Sequence, residues 1–82
     1  MYYVYILRSK SRNQFYTGCT NDLKRRFLEH QSNRSLSTKN RGPWELVYYE
    51  ASLSKTDALI REIYLKSSWG KRYIKSRIKN ST

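Results

Sequence analysis

Five side chains in this 82-residue chain stand out by type and spacing: Tyr5, Tyr16, Arg26, His30 and Glu62. On a helix turning about 100° per residue, Leu23, Arg26, Phe27 and His30 share one stripe, while Lys24 and Arg25 fall outside it. The helix that packs Leu23 and Phe27 on a sheet therefore also aims Arg26 and His30 at that sheet's edge. On a later helix, Ala58, Leu59, Ile63 and Leu65 form an apolar arc from which Glu62 projects. A carboxylate there is costly unless it is paired or binds a metal. Tyr5 and Tyr16 flank a hairpin, and Gly18 beside Tyr16 leaves room for a ligand to approach the backbone. Singly, each has an ordinary explanation. Arg26 snorkels, His30 is a satisfied boundary residue, Glu62 is half of a salt bridge, and the tyrosines are half-buried cross-strand aromatics. Together they make an anion-holding cation, a metal-ligand or acid/base carboxylate, and two hydroxyls that could converge on one basic surface.

The elements that must position them follow from local pattern. Residues 2–7 read as a strand, 8–13 as a hairpin connection and 15–20 as an antiparallel partner. Alternation puts Tyr3, Tyr5 and Leu7 on one face and Val4 and Ile6 on the other. Tyr16 and Gly18 share a face, opposite Phe15, Thr17 and Cys19. Both faces carry apolar side chains, so both are expected to be covered. Asn21 or Asp22 caps a helix from residue 23 to about 30. Residues 31–43 form a polar loop with Arg34, Lys39 and Arg41 and no acid, long enough to suggest a role. A third strand spans 44–49. Ser54 caps a helix running to about residue 67, with Asp57 completing an imperfect capping box. Gly70 is expected to break the chain before a basic helix over 71–79, with Ile74 and Ile78 facing inward. The order is β-β-α-β-α-α, an α+β fold with a three-stranded, mainly antiparallel sheet.

Length and composition bound the function. The chain is read as one domain, 1–82, with its core at about 1–79. Its size leaves no space for a dinucleotide fold or a barrel enzyme. With 17 Lys+Arg against 6 Asp+Glu, the net charge is +11. Apolar residues at 38% and aromatics at 15% exclude a disordered basic tail. One Cys and one His exclude an internal disulfide and a Cys/His zinc cage. The first apolar run is too short for a signal peptide or membrane span, which gives a cytoplasmic address. Such a charge points to a polyanion, with nucleic acid ahead of a membrane surface.

The motifs resemble those of the GIY-YIG nucleases. Tyr3-Val4-Tyr5 is followed, after a gap of ten residues, by Tyr16-Thr17-Gly18, and then by Asn21-Asp22-Leu23-Lys24-Arg25-Arg26. Arg41-Gly42-Pro43-Trp44-Glu45-Leu46-Val47 and the stretch from Ser54 through Ala58 to Glu62 also resemble the small single-domain bacterial branch. That branch is similar to the catalytic domains of a structure-specific resolvase and of an excision-repair nuclease. The pattern departs at Tyr3 for Gly, Val4 for Ile and Thr17 for Ile.

The resemblance implies metal-dependent hydrolysis of DNA phosphodiesters, in the setting of DNA repair. Tyr5 corresponds to the base that activates water, and Tyr16 to the Tyr that helps place water or phosphate. Arg26 corresponds to the Arg on the scissile phosphate, where its fork of donors suits the oxygens. His30 matches a His one turn after that Arg. Glu62 corresponds to the carboxylate holding one divalent ion, Mg²⁺ or Mn²⁺, which relieves charge on the departing oxygen. The six acids are Asp22, Glu29, Glu45, Glu50, Asp57 and Glu62. Most serve strands or helix starts, so one metal is expected rather than two. The expected DNA contacts are Lys24, Arg25, Arg34, Lys39, Arg41, Lys66, Lys71 and Arg72, with Lys75 and Arg77. No membrane and no small-molecule cofactor is expected. The competing class is a non-catalytic nucleic-acid-binding or repair-accessory protein that keeps the fold.

Overall fold

The structure, a computed structural model, describes residues 1–78. Lys79, the expected end of the last helix and of the core, lies outside them. β1 (Tyr2–Ser9), β2 (Phe15–Thr20) and β3 (Trp44–Ser52) form one sheet in the order β2-β1-β3, antiparallel throughout. Three helices complete the order β-β-α-β-α-α: α1 (Leu23–Gln31), α2 (Lys55–Lys66) and α3 (Ser68–Arg77). The α+β fold read from the sequence is the fold observed.

β1 is central, and its β-branched and aromatic run explains why. Val4, Tyr5, Ile6 and Leu7 are all buried, so both faces of the strand carry core. On one face Val4 and Ile6 pack with Ala58, Leu65, Ile74 and Ile78 of the α2–α3 layer. On the other, Tyr5, Leu7 and Trp44 pack with Tyr16, Leu23 and Phe27 under α1. A bulge in the β1–β3 pairing falls between Ile6 and Leu7, which face Tyr48 and Leu46. The extra residue, Val47, joins Tyr48 on the α2–α3 side, the expected effect of breaking the alternation. β3 runs three residues beyond the expected stop at 49.

The helix starts follow local chemistry. Asp22 caps α1 by accepting from the Arg25 amide at 3.1 Å, and Ser54 caps α2 by accepting from Asp57 at 3.2 Å. Two expectations need correction. Gly70 does not break the chain: Ser67 ends α2 and caps α3, and Gly70 sits in the first turn of α3. A Cβ there would lie 2.1 Å from the Tyr64 carbonyl oxygen, so glycine is what lets α3 start against the end of α2. The apolar arc of α2 is also different. Ala58 and Leu65 are buried, but Leu59 is 42% and Ile63 is 72% exposed. The face turned inward follows Ala58, Arg61, Glu62 and Leu65, the i, i+3, i+4, i+7 strip that one sheet face covers.

Candidate active site

The site is assembled at the β2 side of the sheet by β1, β2, α1 and the loop over residues 31–43. Tyr5 faces Gly18 across the β1–β2 pair. A Cβ at Gly18 would lie 2.5 Å from the Tyr5 hydroxyl oxygen and 3.0 Å from Cε2 of Tyr16. The space opened by this glycine is therefore filled by the Tyr5 ring, not left for a ligand as the sequence suggested. Tyr5 is 1% exposed. Tyr16 stands on the same sheet face, its ring centroid 6.3 Å from that of Tyr5.

α1 delivers His30 and Arg26 to this tyrosine pair. The His30 ring lies 5.7 Å from Tyr5 and 5.1 Å from Tyr16. Its Nε2 is 2.8 Å from the Tyr5 hydroxyl, and its Nδ1 is 2.6 Å from the Thr38 hydroxyl. Arg26 donates to Glu29 at 2.9 Å and to the Ser35 hydroxyl at 3.3 Å. The helical stripe of Arg26 and His30 is thus the one facing the tyrosines, while Lys24 and Arg25 are exposed on the outer side.

The electrostatics favour neutral groups. Burial pushes the Tyr5 hydroxyl up to about 12; a hydrogen bond from Arg26 pulls the other way, and the Tyr16 and Glu62 charges add to the rise. Burial, then the Arg26 charge, lowers His30 to about 4. Arg26 is itself held charged, chiefly by its hydrogen bond to Glu29. An anion bound at Arg26 would offset the charge that depresses His30.

Glu62 reaches this neighbourhood from the other sheet face. Its field is felt at both Tyr5 and Cys19. The side chain is 19% exposed and pairs with Lys66 at 3.1 Å. So the carboxylate does project from the packed face of α2, and the salt-bridge explanation also applies, though its partner is mostly in solvent. Among the described residues no three His, Cys, Asp or Glu side chains gather as a metal cage. One accessible carboxylate fits Mg²⁺, which keeps several waters and takes one or two carboxylates beside substrate phosphates.

A groove of about 610 Å³ lies between β2 and the α2–α3 layer, with Ile6, Leu65 and Ile74 in its lining; it is on the sheet face opposite Tyr5 and His30 and meets the site at Tyr16. Its lining includes Phe15, Tyr16, Arg41, Lys66, Lys71 and Lys75, and no acid. Of the expected DNA contacts, Arg41, Lys66, Lys71 and Lys75 therefore share one concavity with Tyr16. Arg34 and Lys39 are exposed on the loop. Arg41 donates to the Ser37 carbonyl and lies 5.8 Å from the Trp44 ring. Arg72 stacks on Trp69 at 5.1 Å and does not line the groove.

The loop is more than a basic surface. Ser35 and Thr38 are buried beneath it. Trp44 Nε1 donates to the Thr38 carbonyl at 3.4 Å, the Gln31 side chain accepts from the Trp44 amide at 2.7 Å, and Ser9 donates to the Arg41 carbonyl at 2.5 Å. Sequence reasoning missed Thr38 and Ser35, because a loop has no periodicity to give a side chain a direction. The loop's length was the one available signal.

The arrangement is two tyrosines, a histidine and an arginine converging on one sheet face, a cationic groove that meets them at Tyr16, and a glutamate on the other face paired with Lys66 of that groove. A family model described as the GIY-YIG catalytic domain matches residues 1–76. The chain belongs to the GIY-YIG family. A UPF0213 protein of Limosilactobacillus reuteri is 44% identical over 68 residues, which cover 79% of this chain and 70% of the relative. A UPF0213 protein of Clostridium perfringens is 43% identical over 67 residues, covering 80% of this chain and 71% of the relative. The solution NMR structure of a UPF0213 protein from Bacillus halodurans superposes with a TM-score of 0.57 at 39% identity. That match covers 93% of this chain and 84% of the other. Membership in this family joins the chain to a group of nucleases that act with divalent metals on nucleic acid. No helix among the described residues is long and apolar enough to cross a membrane.

Proposed function

We propose that this chain is a metal-dependent endonuclease that hydrolyses DNA phosphodiester bonds, acting in the cytoplasm as a single domain over 1–82. The observation that carries the reading is the contact of the buried Tyr5 hydroxyl with His30 at 2.8 Å, beside Arg26, whose charge acts on both groups. Arg26 has donors beyond those given to Glu29 and Ser35, and they would hold the scissile phosphate. Tyr16 would orient the water or a phosphate oxygen. Tyr5 would take the proton of the attacking water and pass its own to His30. The phosphate at Arg26 would make that transfer easier by offsetting the charge that lowers His30. Glu62 would hold a single Mg²⁺ or Mn²⁺, which when bound supplies charge relief at the departing oxygen. Arg41, Lys66 and Lys71 would carry the DNA backbone beside Tyr16. Lys24, Arg25, Arg34, Lys39 and Arg72 would add long-range attraction from outside the groove.

The test is cleavage of labelled linear and branched DNAs with Mg²⁺ or Mn²⁺, and with EDTA. Metal-dependent cleavage lost in EDTA supports the nuclease. Tight, salt-sensitive binding without cleavage of any substrate would leave the non-catalytic binder standing instead.

A further inference from the structure

His30 is the chain's single histidine, and its ring is wholly buried. A neutral imidazole donates from one nitrogen and accepts at the other. Its two contacts, Nε2 with Tyr5 at 2.8 Å and Nδ1 with Thr38 at 2.6 Å, permit two arrangements, because both hydroxyls can donate or accept. The chemistry of the two hydroxyls decides between them. A phenol is far more acidic than an aliphatic alcohol, so it is the stronger hydrogen-bond donor and the weaker acceptor of the two. The Tyr5 hydroxyl therefore donates to Nε2, which lies 2.8 Å from it. Nδ1 then carries the imidazole hydrogen and donates to Thr38.

We propose that Thr38 is a positioning residue: its hydroxyl accepts from His30 Nδ1–H and keeps the Nε2 lone pair aimed at the Tyr5 hydroxyl. Thr38 is suited to this because the loop cannot easily carry it away. Its amide bonds to the Ser35 carbonyl at 3.2 Å, its carbonyl accepts from the Trp44 indole, and its side chain is fully buried. A hydroxyl that fixes a histidine tautomer does the work a carboxylate does in serine-protease triads, without adding charge. The consequence for catalysis rests on the nuclease reading; the tautomer itself does not.

In that reaction the hydroxide formed from water adds to phosphorus as Tyr5 Oη takes the water's proton. The former Tyr5 O–H bond breaks and an Nε2–H bond forms. The resulting imidazolium still donates from Nδ1 to Thr38. The electron pair of the broken P–O bond stays on the departing oxygen, which takes a proton from solvent. His30 returns its proton through Tyr5 to water after product leaves. With the opposite tautomer, Nε2 would have no lone pair and the first transfer would be blocked.

With one histidine, long-range ¹⁵N–¹H imidazole spectra of the full chain contain one pattern. In the wild type at neutral pH, Nδ1 should be the protonated nitrogen and Nε2 the bare one. Thr38→Ser should keep that pattern. Thr38→Val and Thr38→Ala should move the hydrogen towards Nε2. On a cleavable DNA, Thr38→Val should lower kcat by roughly 10²-fold, the scale of general-base catalysis. KM should be nearly unchanged, and Thr38→Ser should restore most of the rate. A wild type protonated at Nε2 overturns the inference even if no variant folds, and so does a Thr38→Val protein that keeps Nδ1–H. If no protein, wild type included, cleaves any nucleic acid, the nuclease reading fails while the spectra still decide the role of Thr38.

Discussion

The two faces of the sheet each carry a polar cluster, and the clusters are built on opposite principles. On the α2–α3 side, Glu50 accepts from Arg61 Nε at 2.7 Å and Nη2 at 2.9 Å, and from the Tyr48 hydroxyl at 2.5 Å. Arg61 also lies 4.9 Å from the Tyr64 ring and 5.1 Å from the Tyr73 ring. Arg61 holds the Glu50 carboxyl below the usual carboxylate range, and Glu50 keeps Arg61 charged. On the α1 side, burial drives Tyr5 and His30 towards their neutral forms. The first cluster strengthens the Glu50 and Arg61 charges, and burial with the Glu50 bond keeps Tyr48 neutral; its hydroxyl faces a carboxylate held ionised by Arg61, so nothing in it is poised to move a proton. The second holds a donor and an acceptor, both neutral, beside an arginine able to admit an anion. Perturbed titration alone does not separate structure from chemistry; the direction of the perturbation, and what can enter, does.

The largest effect expected from this contrast is on cleavage. Arg26→Ala should reduce kcat about 10³-fold, the scale seen when a transition-state charge stabiliser is removed, with little change in melting temperature. Arg25→Ala, one residue away and exposed, should lower DNA affinity modestly and leave kcat alone. Single-turnover rates on one labelled substrate check both. Equal losses would mean that the phase of α1 does not select the working arginine.

The next effect is on stability against pH and belongs to His30. Its folded value of about 4 lies below the ordinary imidazole value of 6.5. The unfolded chain therefore binds a proton at higher pH than the folded one. The stability that His30 contributes is complete above about pH 6.5 and is lost as pH falls towards 4. From those two values the loss is about 3 kcal/mol across the window. Urea melts at pH 4.5 and 7 should show most of that slope in the wild type and a flatter one in His30→Gln. A slope unaffected by the substitution would return the pH dependence to the carboxylates.

Arg61→Ala tests the other cluster. It leaves Glu50 half-buried without its cation, and exposure of the Arg61 side chain at 36% tempers the loss. About 1–2 kcal/mol is expected, below the figure for a fully buried pair. The cleavage rate per folded molecule should not change. A specific loss of kcat at constant stability would make Arg61 part of the chemistry and erase the contrast between the two faces.

What the sequence made legible was whatever a period controls. The β phase grouped Tyr5 with Tyr3 and Leu7 in one strand and Tyr16 with Gly18 in the next, and the helical phase separated Arg26 and His30 from Lys24 and Arg25. Chain order was enough for the order of elements and for the antiparallel β1–β2 pair, while the place of β3 on the other edge of β1 was not legible. What it could not show were features decided by neighbours distant in sequence. Leu59 and Ile63 look like core on a wheel, but α2 meets only one layer and leaves them exposed. Gly70 reads as a breaker until α3 is seen against the Tyr64 carbonyl. Thr38 and Ser35 gain their role only when the loop folds back over α1, and no local pattern encodes that return.

Glu62 stands between the two clusters and is expected to give the smallest stability change. Like Glu50 it has a basic partner; unlike Glu50, it meets that partner through one contact with a Lys66 side chain that is 55% exposed. Such i,i+4 pairs contribute about 0.3–0.5 kcal/mol. Glu62→Gln keeps the shape, removes one negative charge beside the cationic groove, and frees Lys66. Unfolding free energy should therefore change by less than about 1 kcal/mol, and DNA affinity in EDTA should hold or rise slightly. Metal-dependent cleavage should fall to background, because Glu62 is the carboxylate proposed to hold the ion. A drop in stability on the scale of Arg61→Ala, with cleavage kept, would move Glu62 into the class of Glu50. The site would then be left without its proposed metal ligand.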